Sequence, residues 1–292
     1  MKSICDPLLI GFAWLSALTV MLVAALLMGF LLWRGLTSVD VELFFGETNW
    51  LDAVTGRAPV FGGIWPALAG TFYLVILSSF LSIPVGIASG VYMAEYAPNR
   101  ARSWLGFAVD LLAGTPSIVM GLFGFALILL LRKTLLPEAG MGLFLAACCI
   151  ALLVLPYVIR TTQTALEAIP RHLRLLGPAA GLSQLQTILH VLLPVAGRGI
   201  LSGTILAMGR AAEDTAVILL TGVVAQAGMP RSLWDRFEAL PFRIYYLAAE
   251  HQTRQQLDQG FAAALVLLLL TGALFLAAFL MQRRFEKRWK IG

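Results

Sequence analysis

Six stretches of this chain are long and apolar enough to cross a lipid bilayer, and no other feature constrains its fold as tightly. They fall at residues 8–33, 69–93, 105–131, 140–159, 199–224 and 260–281. A helix needs roughly 20 apolar residues to cross the hydrocarbon layer. No water is available there, so backbone donors and acceptors must be satisfied within the protein, which a helix does locally. The expected fold class is all-α: a polytopic membrane protein with six transmembrane helices. Composition agrees, because only 13% of residues are charged against about 25% in a soluble domain. The first run is too long for the core of a signal peptide and has no small-residue cleavage site, so it reads as an anchor. The chain divides into a first helix with its loop, residues 1–68, and a transmembrane core, residues 69–292. The longest polar excursion on the side of the termini is the loop 160–198.

Orientation follows from the basic residues in the loops. The termini and even-numbered loops hold Lys2, Arg100, Arg102, Arg160, Arg171, Arg174, Arg198, Arg283, Arg284, Lys287, Arg288 and Lys290. The opposite loops are longer and hold Arg34, Arg57, Arg132, Lys133, Arg231, Arg236, Arg243 and Arg254. Both termini and the loop 160–198 are therefore expected in the cytoplasm, with 35–66 and 225–259 outside. The formal charge of +5 reflects this topology and gives no reason to infer nucleic acid. The basic tail 283–290 should lie against anionic headgroups, and Trp65, Trp104 and Trp289 suit interfacial anchoring.

Enzymatic chemistry has few residues to work with. Cys5, Cys148 and Cys149 lack metal-ligand spacing, and His172, His190 and His251 are scattered. There is no metal site to expect and no cofactor. No Gly-rich phosphate-binding loop of the GxxxxGK[ST] type occurs, so the chain does not hold ATP by that route. A membrane-embedded enzyme is disfavoured, since no nucleophile–base pair is visible.

Several local patterns carry more information. Gly86 and Gly90 form a GxxxG that permits close helix packing. Gly114-Thr115-Pro116-Ser117 interrupts the third run, where Pro116 removes a backbone donor; a packing kink is the favoured reading over a substrate contact. Asp110 is expected to face the bundle interior or the interfacial region. Pro170 should open a short helix through Leu176, ended by Gly177-Pro178. From Gly181 to Pro194 the sequence GLSQLQTILHVLLP spaces Leu182, Leu185, Ile188, Leu189, Leu192 and Leu193 by three and four, one apolar helical stripe. Ser183 with Gln186 reads as a capping box, and Pro194 should separate this helix from the fifth span. An amphipathic helix in such a loop suggests a partner that binds it.

The fifth run carries Arg210, Glu213 and Asp214. A charge at the centre of a span costs at least about 2.5–3.5 kcal/mol on insertion scales. At i, i+3 and i, i+4 the three can share one helix face. Two readings stand side by side: a local ion pair that lets the helix insert, or a functional site.

These residues together resemble a known family. The spacing of Gly181 from Leu193-Pro194 is similar to that of the EAA loop of type I ABC importer permeases, which docks on an ATP-hydrolysing subunit. More narrowly, the chain resembles the PstA family of phosphate permease subunits. The resemblance rests on Gly63-Ile64-Trp65-Pro66 with Gly70-Thr71, on Ala94-Glu95-Tyr96-Ala97-Pro98, and on Gly114–Val119 with Gly121-Leu122-Phe123-Gly124. Arg210-Ala211 with Thr215-Ala216 and Leu219-Leu220-Thr221-Gly222 continues it, as does Leu240-Pro241 with Ile244-Tyr245. It runs from about residue 62 to the end of the sixth span. Two departures stand out. The Glu-Ala-Ala of the family loop is absent at Leu175-Leu176-Gly177. In the fifth span Glu213 and Asp214 stand where the family has Gly and Glu.

The resemblance implies a type I ABC importer permease fold in a bacterial inner membrane, with a cytoplasmic coupling helix between spans 4 and 5. Its coupling residues would be Gly181, Ser183, Leu185, Gln186, Ile188, Leu189, Leu193 and Pro194. Its substrate path would include Arg210, Glu213, Asp214, Thr215, Thr115 and Ser117, where an arginine fork suits phosphate oxygens. The excess acid would be neutralised by a partner's arginine, or would accept the protons of hydrogen phosphate. The implied partners are a second, PstC-like permease subunit, two PstB-like ATP-binding subunits, an external PstS-like phosphate-binding protein, and the lipid bilayer. The permease itself would not be an enzyme. Alternatives are a permease for another oxyanion, molybdate or sulfate, and a secondary transporter with Arg210, Glu213 and Asp214 as a proton relay.

Overall fold

The computed structural model describes residues 5–134 and 140–289. Helices dominate it. In chain order they are α1 (Cys5–Leu36), α2 (Val41–Phe45), α3 (Trp50–Val54), α4 (Trp65–Val91), α5 (Asn99–Ala113), α6 (Ser117–Thr134) and α7 (Leu143–Glu167). Then follow α8 (Arg171–Arg174), α9 (Leu176–Ala179), α10 (Gln184–Thr187), α11 (Leu193–Glu213), α12 (Ala216–Thr221), α13 (Leu240–Glu250) and α14 (Arg254–Trp289). Among the described residues the one β feature is a parallel bridge between Val223 and Phe237. Six helical segments are long and apolar enough to cross a membrane. They alternate in direction, which puts the turn after α4 and the α8–α10 segment on the face where α1 begins and α14 ends. That is called the terminal face below, and the other the far face. Lys2 and Lys290, two of the residues used for orientation, lie outside the described residues.

The core is the contact of α4, α7, α11 and α12. Buried Leu74, Val75, Ile150, Val154, Val158, Ala207, Ala211, Val217 and Ile218 form its centre. Lipid tails are as apolar as these side chains, so close approach of backbones must supply much of the packing. Gly86 and Gly90 do this as the sequence suggests: a Cβ at either would stand 2.7 Å or 2.6 Å from Val158 or Thr162 of α7. By contrast α1 is exposed along its membrane-crossing length and packs mainly on α14. It is apolar all round, as suits a helix bathed in lipid.

Four expectations about the spans are corrected. The third run, 105–131, is two helices: α5 and α6 are separated by Gly114, Thr115 and Pro116, and α6 alone is long and apolar enough to cross. Pro116 has no N–H for Leu112, and Thr115 turns its hydroxyl onto the Leu111 carbonyl at 2.9 Å, so the ladder stops rather than bends. The fifth run, 199–224, begins earlier and is also interrupted: α11 ends at Glu213 and α12 starts at Ala216. Pro194 separates nothing. Residues Ile188–Leu192 form a π turn joining α10 to α11, in which the Leu193 N–H reaches back five residues to Ile188. This wider turn lets the helix pass a proline. The same device precedes Pro98, where the Ala97 N–H bonds the Tyr92 carbonyl at 2.8 Å. Finally, no single helix runs from Pro170 to Leu176. The chain pauses at Leu175, and α9 continues through Gly177-Pro178, because a proline near a helix start lacks only a donor that is unpaired there anyway.

Candidate functional site

The interruptions of the third and fifth spans lie side by side. α6 and α12 run parallel: Gly121 meets the Ala216 carbonyl and Val217 Cα, and Gly124 meets Thr221. The second turn of α6 thus meets the first of α12, which puts the two breaks within about one helical turn of each other along the bundle. Asp214 is the hinge of the fifth-span break. It takes an extended conformation at the end of α11, and its Oδ1 accepts the Val217 N–H at 3.0 Å. This is an N-cap bond that satisfies a donor left free by the interruption.

The expected common face of Arg210, Glu213 and Asp214 therefore does not form, since Asp214 has left the helix. Among the described residues no ion pair joins Arg210 to either acid. Arg210 is exposed, with its guanidinium carbon 5.6 Å from the centre of the Tyr157 ring of α7, a cation–π contact. Glu213 is exposed too, while Asp214, Thr215, Thr115 and Ser117 are half-buried. The local ion pair that would merely help insertion is not what the geometry contains.

On the terminal face, α8–α10 build a compact module. Gly181 has φ +72. The Leu182 N–H bonds the Gly177 carbonyl and the Gly181 N–H bonds that of Pro178, each at 3.0 Å, a Schellman closure that needs a left-handed residue. The expected capping box is present: the Ser183 hydroxyl accepts the Gln186 N–H at 3.3 Å, and Gln186 Oε1 accepts the Ser183 N–H at 2.9 Å. The expected single stripe divides into two faces. Ile188 and Leu192 are buried with Leu166, Ile169, Ala196 and Ile200, whereas Leu185 and Leu189 are exposed by 58% and 51%. Leu175 and Leu176, where the Glu-Ala-Ala is missing, are equally exposed at 65% and 54%. Leu193 and Pro194 are half-buried.

Sequence reading passed over the residues that tie this module down. Arg174 Nη1 donates to both carboxylate oxygens of Glu95, at 2.8 and 3.0 Å. Its remaining N–H groups meet the carbonyls of Leu166 and Ile169 at the end of α7. Gln184 adds a bond to the Glu95 carbonyl at 3.1 Å. Nearby, of the two settings expected for Asp110, the bundle interior is not the one it takes. Its side chain is largely exposed yet held by Arg160 at 2.6 Å, and Arg160 also reaches the Gly106 carbonyl and Gln163.

The far face is closed by residues 222–239. The first turn of α7 donates into this loop, Leu143 N–H to Asp235 and Phe144 N–H to Leu233, at 3.0 and 2.8 Å. Glu238 and Arg243 form a buried pair at 3.2 Å, and Arg243 also donates to the Gly62 carbonyl. Burial pushes the Glu238 carboxyl above its ordinary range, and Arg243 pulls partly the other way. Beside it a cleft of ≈ 810 Å³ opens between residues 53–60 and 224–236, with Arg231 and Arg236 in its lining. A pair 5 residues apart was readable in principle, but nothing in the sequence marked it as buried. Among the described residues no group of His, Cys, Asp or Glu is arranged to hold a metal.

Residues 82–291 match the family model described as "Binding-protein-dependent transport system inner membrane component". The chain is 30% identical over 245 residues to the phosphate transport system permease protein PstA of Haemophilus influenzae, spanning 84% of this chain and 82% of that one. It is 29% identical over 246 residues to the probable ABC transporter permease protein YqgI of Bacillus subtilis, spanning 84% and 80%. Among solved structures, an inward-facing conformation of the MetNI methionine ABC transporter matches with a TM-score of 0.59 at 17% identity, covering 82% of this chain and 99% of that one.

Proposed function

Because the chain belongs to the family of binding-protein-dependent transport system inner membrane components, we propose that it serves as the membrane-spanning permease subunit of an ATP-driven importer whose cargo is phosphate. One observation carries the coupling half of this reading: a capped, leucine-faced helix, α10, that is continuous through a π turn with the interrupted span α11. A push on α10 is passed along a rigid helix to the turn that holds Arg210, Glu213 and Asp214. Phosphate as cargo is supported by the names of the relatives and by the chemistry of that turn.

ATP binding and hydrolysis belong to two partner subunits, which grip Leu185 and Leu189, with Leu175 and Leu176 beside them. Burying such leucines is worth about 1.5–3 kcal/mol each. The permease makes and breaks no covalent bond. Residues 69–292 form its translocating core with a second permease subunit, and an external binding protein delivers phosphate to the far face. The basic residues of the terminal face support placing it, with both termini, in the cytoplasm of a bacterial inner-membrane protein.

At the substrate turn Arg210 is the anion-binding group, since its fork matches two phosphate oxygens. Glu213 has no ion partner among the described residues and is free to accept a proton-bearing oxygen of hydrogen phosphate. Sulfate offers no proton at neutral pH, so this acid would select against it. Thr215, Thr115 and Ser117 supply hydroxyls at nearly the same level.

Copurification of the tagged chain, followed by uptake assays in vesicles, tests the whole reading. ATPase subunits should come with the chain, and phosphate uptake should require them. Uptake that proceeds without the ATPase and stops with an uncoupler would establish the proton-coupled alternative instead. Competition by molybdate or sulfate at equal concentration would move the substrate assignment to another oxyanion.

A further inference from the structure

We propose that Glu95 and Arg174 form an ionic strut that forces α4 to move with the module α8–α10, so that two spans respond to one push. The inference rests on the coupling reading above and goes beyond it.

α11 needs no strut. It is joined to α10 by the continuous π turn Ile188–Leu192, so displacing α10 displaces α11. α4 packs against the side of α11 but has no such continuity with the module, since Glu95 and Arg174 are 79 residues apart in the chain. What lies between the two elements is an apolar layer and one polar clamp. The layer is Ile188 and Leu192 with Leu166 and Ile169, against which Val91 and Ala94 from the end of α4 pack. Apolar contact is non-directional. It resists separation of the two elements but offers little against sliding.

The clamp supplies direction. Arg174 holds both oxygens of the Glu95 carboxylate from one nitrogen while its other N–H groups are fixed by the Leu166 and Ile169 carbonyls at the end of α7. A guanidinium held this way cannot swing to follow its partner. The carboxylate side chain is only 11% exposed and the arginine 28%, so water and salt screen the pair weakly. Gln184 of α10 adds a second tie to the Glu95 carbonyl. Glu95 itself sits in the π turn Tyr92–Tyr96 that ends α4, so a pull on it is delivered to that helix. Both acid and base are thus positioning residues. They touch no substrate, and their task is to keep α4 and α11 in step.

The test uses the full complex with its ATPase subunits and spin labels at Tyr96 and His172, both exposed. Distances are compared without nucleotide and with ATP and vanadate. In the otherwise native chain the distribution should be narrow and the same in both states. In Glu95→Gln and Arg174→Gln it should broaden and shift between states, with an intermediate result for Arg174→Lys, which keeps the charge but not the fork. Phosphate moved per ATP hydrolysed should fall at least about fivefold in the two Gln variants, with ATPase subunits still copurifying. A distribution in both Gln variants as narrow as the parent's would overturn the strut. So would a parent distance that changes with nucleotide, or loss of the ATPase from either variant alone. Failure of the parent chain itself to retain an ATPase would refute the coupling reading, and the strut with it.

Discussion

The module on the terminal face and the turn at Arg210 are built on opposite plans. The module is closed by partnered polar groups: the capping box closes α10, the Schellman pair closes α9, and Arg174 has partners for its Nε and both terminal nitrogens. At the turn, Arg210 lies against an aromatic ring, and among the described residues neither it nor Glu213 has an ion partner. Partnered groups resist deformation, and a charge left without a partner in a membrane protein keeps its capacity to bind something else. On the proposed function, the module would transmit force and the turn would bind and release an ion, and those two tasks call for these two different arrangements. Removing a partner from a wired region should therefore destabilise the fold, whereas removing a charge from the turn should spare stability and stop transport.

The largest stability loss is expected at the far-face pair, where Arg243 is held by Glu238 and the Gly62 carbonyl through its two terminal nitrogens, though not through its Nε. Arg243→Ala leaves the Glu238 carboxylate buried and alone, at about 3–5 kcal/mol. Thermal unfolding in detergent should show it, and adding Glu238→Gln should return most of it. The pH dependence has a defined sign. Burial raises the Glu238 carboxyl, so the folded state holds the proton more tightly than the unfolded chain, and stability falls as pH rises from the ordinary carboxylate range through the raised value. Without the opposing pull of Arg243 this fall should steepen. A variant equally stable at acid and neutral pH would show that the pair is not wired at all.

At the turn, Arg210→Ala should cut phosphate uptake by about 10- to 150-fold, the worth of hydrogen bonds to a charged group. Its melting temperature should match the parent's. If the variant instead melts early and still transports, the contrast between the two regions is reversed. A smaller effect is expected at Gly181, whose Cβ would meet nothing within 4 Å. Gly181→Ala is penalised by its left-handed backbone alone, about 1–2 kcal/mol. Retention of the ATPase on copurification should weaken accordingly, with uptake by the complexes that remain unaltered.

The sequence made some of this contrast legible and hid the rest, for a physical reason. Apolar run length gave the number of spans, though not the bounds of the third and fifth, and the Ser183–Gln186 spacing located a real capping box, because both depend on residues close in the chain. The proline at 116 pointed to the third-span break for the same reason. Pro194 misled, since a π turn can absorb a proline and no residue type signals that choice. The break at Asp214 has no proline or glycine beside it. It is stabilised by a side chain that caps the next helix, so one acid served equally well as an intramembrane charge or as an N-cap. The Glu95–Arg174 contact joins elements that only the folded bundle brings together, and the split of the leucine stripe depends on which neighbours cover it.

Asp214 is where the two plans meet, and it gives the finest test. Its Oδ1 already caps α12 through Val217, which places it with the wired groups, while its charge and position place it with Arg210. Asparagine caps as well as aspartate, but alanine does not, at about 0.5–2 kcal/mol. If capping is the whole role, Asp214→Asn should transport within about twofold of the parent, and Asp214→Ala should lose roughly 1 kcal/mol of stability with a matching loss of uptake. If the carboxylate itself meets the ion, Asp214→Asn should fail as Arg210→Ala does while melting normally. Measuring uptake and melting on the same two variants separates these outcomes, because the amide preserves the geometry of the break and changes only its charge.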